Sequence, residues 1–241
     1  MRGLLQGRVA AVTGGARGLG AAICAEFRAA GAVAHALDLD GPDPCDVTEE
    51  ASIAAALARI AAAEGRLDIV VCNAGVVPPW RGIEALDLAE WDRVFAVNVR
   101  GVAATMKAAV PHLKARGGAI LAMCSIMGYR AHPAQAAYVA SKHAVLGLVR
   151  AAALDLGRHG IRVNAIGPGP VATGALLSRM AARAAAGIAP PVPEALEAAA
   201  KETALGRMVT EQDVARTALY LASDLASGVT GQIVPVEGGL A

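Results

Sequence analysis

TGGARGLG, residues 13 to 20, lies between the apolar run VAAV (9 to 12) and an alanine-rich stretch that reads as a helix near 18 to 30. Gly14, Gly18 and Gly20 accept backbone conformations closed to other residues and let a neighbouring group approach the main chain closely. A turn of this kind that opens a helix presents free N–H groups, and the positive end of the helix dipole, to an anion such as a pyrophosphate. Arg17 in the same turn either pairs with a phosphate or stays solvated. Glycine is common here, 27 of 241 residues, so a plain structural turn would look the same, and the surroundings have to separate the two readings.

The next strand, near 32 to 38, ends in HALDLD, and Asp38 falls eighteen residues after Gly20. Strand, glycine turn, helix, strand and acid in that order form a dinucleotide site, the carboxylate accepting hydrogen bonds from the adenosine ribose. The extra phosphate of NADP would meet that carboxylate with a repulsion of roughly 4 kcal/mol per unit charge, at about 4 Å and an effective dielectric of about 20. Leu39, next in the chain, brings no positive charge to relieve it, and only Arg17 offsets part. NAD is the expected cofactor.

Further out, apolar runs near 67 to 72, 117 to 124, 161 to 167 and 232 to 236 alternate with helical patterns near 48 to 64, 87 to 115, 136 to 158 and 210 to 222. LDIVVC and GAILAMC are apolar throughout, as strands buried on both faces are. The alternation predicts an α/β fold, a single doubly wound Rossmann domain over 1 to 241 with a mostly parallel sheet of about seven strands. GPDPC, 41 to 45, leaves no room for a crossover helix after the second strand, so a third strand near 45 to 47 is expected to be a stub at the sheet edge. Residues 174 to 205, interrupted by APPVP (189 to 193), have the length of a lid or substrate loop.

The 22 basic and 21 acidic residues leave a net charge of +1 and are interspersed, with no run that would track nucleic acid or an anionic membrane. No apolar run reaches the length of a membrane span. MRGLLQGRVAAVTGG enters the first strand without the pattern of a signal peptide, and Cys24, Cys45, Cys72 and Cys124 have neither CxxC nor zinc spacing. Buried free thiols in a reducing cytoplasm are the expectation. His35, His112, His132, His143 and His159 lack metal-ligand spacing, and no metal is expected.

Ligands in such sheets bind at the carboxyl ends of the strands. There stand Asn73, Ala74 and Gly75, then Ser125, then GPGPVAT (167 to 173). Thirteen residues past Ser125, in AYVASKHA, Tyr138 and Lys142 are four apart on a helix and share a face. A free phenol loses its proton near about pH 10; a lysine one turn away favours the ionised form that proton transfer near neutrality needs. The plainer reading of the pair is a solvated surface contact.

TGGARGLG, CNAG (72 to 75), Asn98 in VNVRG, Ser125, YVASK (138 to 142), PGPVAT (168 to 173) and TGQIVPVEGG (230 to 239) together resemble the ordered signatures of the short-chain dehydrogenase/reductase family, over residues 7 to 239. The resemblance implies a nicotinamide cofactor and alcohol–ketone redox chemistry. It implies that Tyr138 is the general acid or base, that Lys142 favours its ionised form and holds the nicotinamide ribose, that Ser125 binds the substrate oxygen, and that Asn98 holds a water in a proton relay. Thr173 and the backbone of Val171, following Pro168 and Gly169, would fix the carboxamide. Asn73, Ala74 and Gly75 would run beside the adenosine ribose, Asp46 and Val47 would edge the adenine, and Leu19 goes with the glycine turn. CNAG and VEGG stand where the family often has NNAG and VDGG, at positions that carry no chemistry.

The expected substrate walls, Val76, Val77, Ile126, Met127, Pro170, Leu176 and Leu177, are mostly apolar and suggest a neutral secondary alcohol or ketone. No arginine is clearly aimed at a carboxylate, though Arg179 and Arg183 in the lid leave that open. Trp80 reads as core or oligomer contact rather than pocket wall. Two other functions compete: an NADPH-dependent 3-oxoacyl carrier-protein reductase, and a dinucleotide-binding redox sensor without turnover, which would have no use for a tuned tyrosine. The helices near 87 to 115 and 136 to 158 carry more apolar positions than one sheet-facing stripe requires, so a homotetramer is expected.

Overall fold

The computed structural model describes residues 3–240. Its strands are β1 (Val9–Thr13), β2 (Val33–Asp38), β3 (Asp43–Pro44), β4 (Ile69–Cys72), β5 (Gly118–Met123), β6 (Ile161–Pro168) and β7 (Ile233–Val236). They form one sheet in the order β3-β2-β1-β4-β5-β6-β7, with every pairing parallel. The order reverses between β1 and β4, and that reversal opens a crevice at the carboxyl ends of the strands.

Successive side chains along the central strands go to opposite faces, so each apolar run feeds two cores. Ala11, Val70, Cys72, Ile120 and Ala122 pack with helices α2 (Glu50–Glu64), α4 (Gly101–Leu113) and α5 (Ala136–Leu156). Ala10, Val12, Ile69, Val71 and Leu121 pack with α1 (Gly18–Ala29) and α8 (Glu211–Ala222), where Ile23, Phe27, Val214 and Leu219 are buried. This two-sided burial explains why the strands read as continuous hydrophobic segments. One buried charge stabilises the sheet entrance: Asp68 accepts both Arg66 Nε (2.8 Å) and Nη2 (2.7 Å) and also the Val9 amide (2.8 Å).

Two boundaries differ from the sequence reading. The third strand comprises Asp43 and Pro44, paired with Leu37 and Asp38, rather than residues near 45 to 47. Pro44 has no N–H to donate, which suits an outermost strand. No helix joins β2 to β3, as expected. The single helix expected near 87 to 115 is instead α3 (Leu88–Phe95), a π-helical stretch (Ala96–Arg100) and α4. Residues 174 to 205 fold as α6 (Gly174–Ala185) and α7 (Val192–Lys201), and neither helix has a fully buried residue.

Candidate active site

The glycine turn is held by the ends of the neighbouring strands. Thr13 Oγ1 donates to the Val71 carbonyl (3.3 Å) and accepts the amides of Asn73 (3.0 Å) and Ala74 (3.1 Å), while Asn73 Nδ2 donates to the carbonyls of Thr13 (2.9 Å) and Gly14 (3.0 Å). Gly14 adopts φ +62° and Gly18 φ +55°; a Cβ on Gly14 would lie 2.9 Å from Ala74 Cα, whereas one on Gly18 would meet only Glu211 Oε1, at 3.9 Å. At Gly20 a Cβ would strike the Gly14 carbonyl oxygen at 2.1 Å. Its role is close packing of α1 onto the turn. Gly15, which the sequence reading passed over, does the same against Ala36, 2.7 Å from a Cβ built there.

No side chain caps α1 and no acidic residue occupies its first turn, which leaves its positive end available to an anion. Asp38 accepts the amides of Ala16 (3.1 Å) and Leu39 (2.9 Å). Around these groups lies a cleft of about 700 Å³ lined by Gly14, Arg17, Gly18, Leu19, Asp38 and Leu39, by Asp46 and Val47, and by Asn73, Ala74 and Gly75. Asp46 is drawn toward its own loop, accepting Thr48 N (2.8 Å) and Thr48 Oγ1 (2.7 Å). The cleft therefore fits a dinucleotide: a glycine cradle, an uncapped helix start, and a carboxylate beside the turn.

A second cavity of about 370 Å³ adjoins it, and Leu19, Asn73, Gly75, Val76 and Thr173 line both. Ser125, Tyr138 and Lys142 come together on its wall. Ser125 Oγ accepts the Met127 amide (3.2 Å) and donates weakly to the Pro168 carbonyl (3.5 Å). Lys142 is buried, its Nζ 5.6 Å from the centre of the Tyr138 ring and donating to the Met123 carbonyl (2.8 Å). Tyr138 and Lys142 are thus a site pair on α5, not a solvated contact. Pro168, Gly169, Pro170 and Val171 follow β6 along the same wall, and Thr173 caps α6 by accepting the Leu176 amide (3.2 Å).

Asn98 lies in the π-helical stretch, fully buried. Its side chain exchanges hydrogen bonds with the Val76 main chain (2.8 Å each way), and its Nδ2 also reaches Ser141 Oγ (3.3 Å), which donates to the Tyr138 carbonyl (2.7 Å). Asn98 thereby ties the loop after β4 to the turn that carries Tyr138. Both amide hydrogens are used, so any hold on a relay water falls to acceptor oxygens.

Among the expected substrate contacts, Val76, Val77, Ile126, Met127, Pro170 and Leu176 line the cavity and Leu177 does not. Leu176 and Arg179, three apart, share the inner face of α6, and Leu177 is rotated about 100° from it. Trp80 is a pocket wall, against expectation, stacked under the Arg183 guanidinium (4.0 Å) and edge-on to His132 (4.7 Å). His132 and Gln135 also line the cavity and were not singled out as walls, and Arg179, left open in the sequence as a contact to a carboxylate, lines it too. None falls directly after a strand, so no spacing rule marks them. The four cysteines are free and buried, and burial pushes the Cys72 thiol up to about 12, which removes it from chemistry near neutrality.

A doubly wound sheet with a dinucleotide cleft beside a serine–tyrosine–lysine cavity defines a nucleotide-dependent oxidoreductase. Residues 14–241 match a family model described as enoyl-(acyl carrier protein) reductase. The chain is 37% identical to the (-)-isopiperitenol/(-)-carveol dehydrogenase of Mentha piperita, over 98% of this chain and 94% of that one. It is also 37% identical to the cis-4-hydroxycyclohexanecarboxylate dehydrogenase of Sinomonas cyclohexanicum, over 96% of each. Among solved structures, the 3-ketoacyl-(acyl-carrier-protein) reductase of Brucella melitensis, complexed with NADH, superposes with a TM-score of 0.85 at 29% identity, covering 98% of both chains. The chain belongs to the short-chain dehydrogenase/reductase family, oxidoreductases that act on CH–OH groups.

Proposed function

We propose that the protein is an NAD-dependent dehydrogenase of a secondary alcohol with an apolar body, acting also on the corresponding ketone. The observation that carries this reading is the single cavity that brings Ser125, Tyr138 and Lys142 together beside the glycine cradle. Ser125 Oγ, already oriented by the Met127 amide, holds the substrate oxygen. The Tyr138 phenolate takes the carbinol proton in oxidation, and the phenol so formed gives it back in reduction. The cofactor, when bound, supplies the hydride acceptor or donor. Gly14, Gly18 and the start of α1 would hold its pyrophosphate, Asp38 its adenosine ribose, and Thr173 with the Val171 main chain its carboxamide.

The names of the two relatives, a carveol dehydrogenase and a hydroxycyclohexanecarboxylate dehydrogenase, support an alcohol substrate. An acyl-carrier-protein reductase is the second reading, favoured by the description of the family model and by the Brucella structure; Asp38 and Leu39 weigh against the NADPH it would use. Four free, buried thiols suit a reducing compartment such as the cytoplasm. No helix among the described residues is long and apolar enough to cross a membrane. Exposed Leu88 and Leu154 on α3 and α5 support assembly into a homotetramer.

The deciding experiment is Tyr138→Phe, which keeps the ring and removes the hydroxyl. Turnover of an alcohol panel with NAD should fall by at least about 100-fold, the scale of lost general acid–base catalysis, while NADH affinity by fluorescence titration changes little. A variant that turns over within a few-fold of wild type would overturn the assignment.

A further inference from the structure

Three groups able to carry positive charge line the substrate cavity, and among the described residues that line it there is no carboxylate. Two are engaged: Lys142 Nζ donates to the Met123 carbonyl, and His132 Nδ1 donates to the Pro133 carbonyl at 2.7 Å. Arg179 is not. It is half-buried and makes no hydrogen bond or ion pair with any of the described residues; burial pushes its guanidinium below the ordinary range, and the Tyr138 phenol opposes that shift. One turn further along the same face, Arg183 stacks over Trp80, which holds α6 against the opposite wall with Arg179 turned inward. A partly desolvated guanidinium with five unused donors is costly until an anion satisfies it.

The cofactor is a poor candidate for that anion. The cleft that carries the glycine cradle, Arg17 and Asp38 is lined by Ala175 and Ser178 of α6, not by Arg179, so Arg179 faces the substrate side. A planar fork of donors matches a carboxylate in two-point fashion.

We propose that Arg179 recognises a carboxylate on the substrate, so that the favoured substrates are hydroxy or oxo acids whose apolar ring or chain separates the carbinol from the acid. This rests on the alcohol-dehydrogenase reading and names its substrate class. Ser125 and Tyr138 hold the oxygen, the apolar walls take the body, and Arg179 on α6 takes the acid.

The test uses two matched pairs of compounds. Cyclohexanecarboxylate and its methyl ester, titrated into the protein with NADH present, read binding without turnover; 3-hydroxycyclohexanecarboxylate and its methyl ester, with NAD, read kcat/KM. Wild type should bind and turn over the acid at least about tenfold better than the ester, the worth of a charge-assisted hydrogen bond. Arg179→Gln should erase that preference, and Arg179→Lys should keep part of it. Equal handling of acid and ester by wild type overturns the proposal. So does a loss in Arg179→Gln that is equal for both congeners and shifts the pH profile, which would assign Arg179 to Tyr138, or an equal loss of NADH affinity, which would assign it to the cofactor. Should cyclohexanecarboxylate bind in an Arg179-dependent way while no alcohol is oxidised, the anion site stands and the alcohol reading falls.

Discussion

A single carboxylate sets the expected cofactor choice. Asp38 is held between the amides of Ala16 and Leu39, so its charge stays fixed where an adenosine ribose would lie. Leu39 is exposed and carries no charge, and Arg17 is the one cation among the described residues that line the same cleft. NAD should therefore exceed NADP by at least about tenfold in kcat/KM, or about 1.4 kcal/mol, and Asp38→Ala should narrow the gap. Equal or better kcat/KM with NADP in wild type would show that Arg17 prevails and would advance the carrier-protein reductase reading. Residues of this kind were legible from position alone, because each follows a strand or sits one helical turn from another. The reason Gly20 must be glycine was not legible, since φ preference and close packing both select glycine, and only the Gly14 carbonyl beneath it separates the two. Trp80 was illegible as a wall, and Arg179 was legible only as an open possibility: they meet the cavity through a loop and a lid helix whose placement depends on tertiary contacts.

At the scale of elements, α8 offers a pH-dependent prediction. Thr210 and Asp213 form a reciprocal cap at its start, and Arg207 Nη1 donates to Asp213 at 2.7 Å. Arg207 first, then the Thr210 amide, hold the Asp213 carboxyl down to about 2 from an ordinary 3.8. A depressed folded value means that the ionised form is the stabilising one. Its contribution is complete above the ordinary value and is lost as the pH falls through about 2. The urea midpoint of Asp213→Asn should lie below that of wild type near neutral pH, and the difference should close in the acid window between those values. A gap that persists below it would remove the ion pair from the explanation. Strands and most helices were legible here because periodicity and burial agree. The break between α3 and α4 was not, since the π-helical stretch exists to turn Asn98 toward Val76 and Ser141, a long-range demand invisible in a run of helix-forming residues.

The whole molecule was legible in outline, because one topology satisfies alternating buried strands and helices with polar groups at one sheet edge. Its outer surface was not. The proposed homotetramer predicts a mass of about four chains by light scattering at micromolar concentration, with Leu88 and Leu154 protected from solvent in the assembly. A monomer under those conditions would refute it, and the exposed leucines would then need another explanation.

The pair α6 and α7 has no fully buried side chain. Detaching it exposes little apolar surface, so this segment should open at a small fraction of the cost of global unfolding. Arg179, Arg183 and Lys201 lie within it, and each is a point where trypsin can cut. Brief digestion of the native protein should therefore nick this stretch first and leave the sheet and both cores as one folded body. NADH should slow the nick, because Thr173, Gly174, Ala175 and Ser178 line the dinucleotide cleft. The rate of that first cut, followed by mass, is then a clock for how often the mouth of the cavity opens.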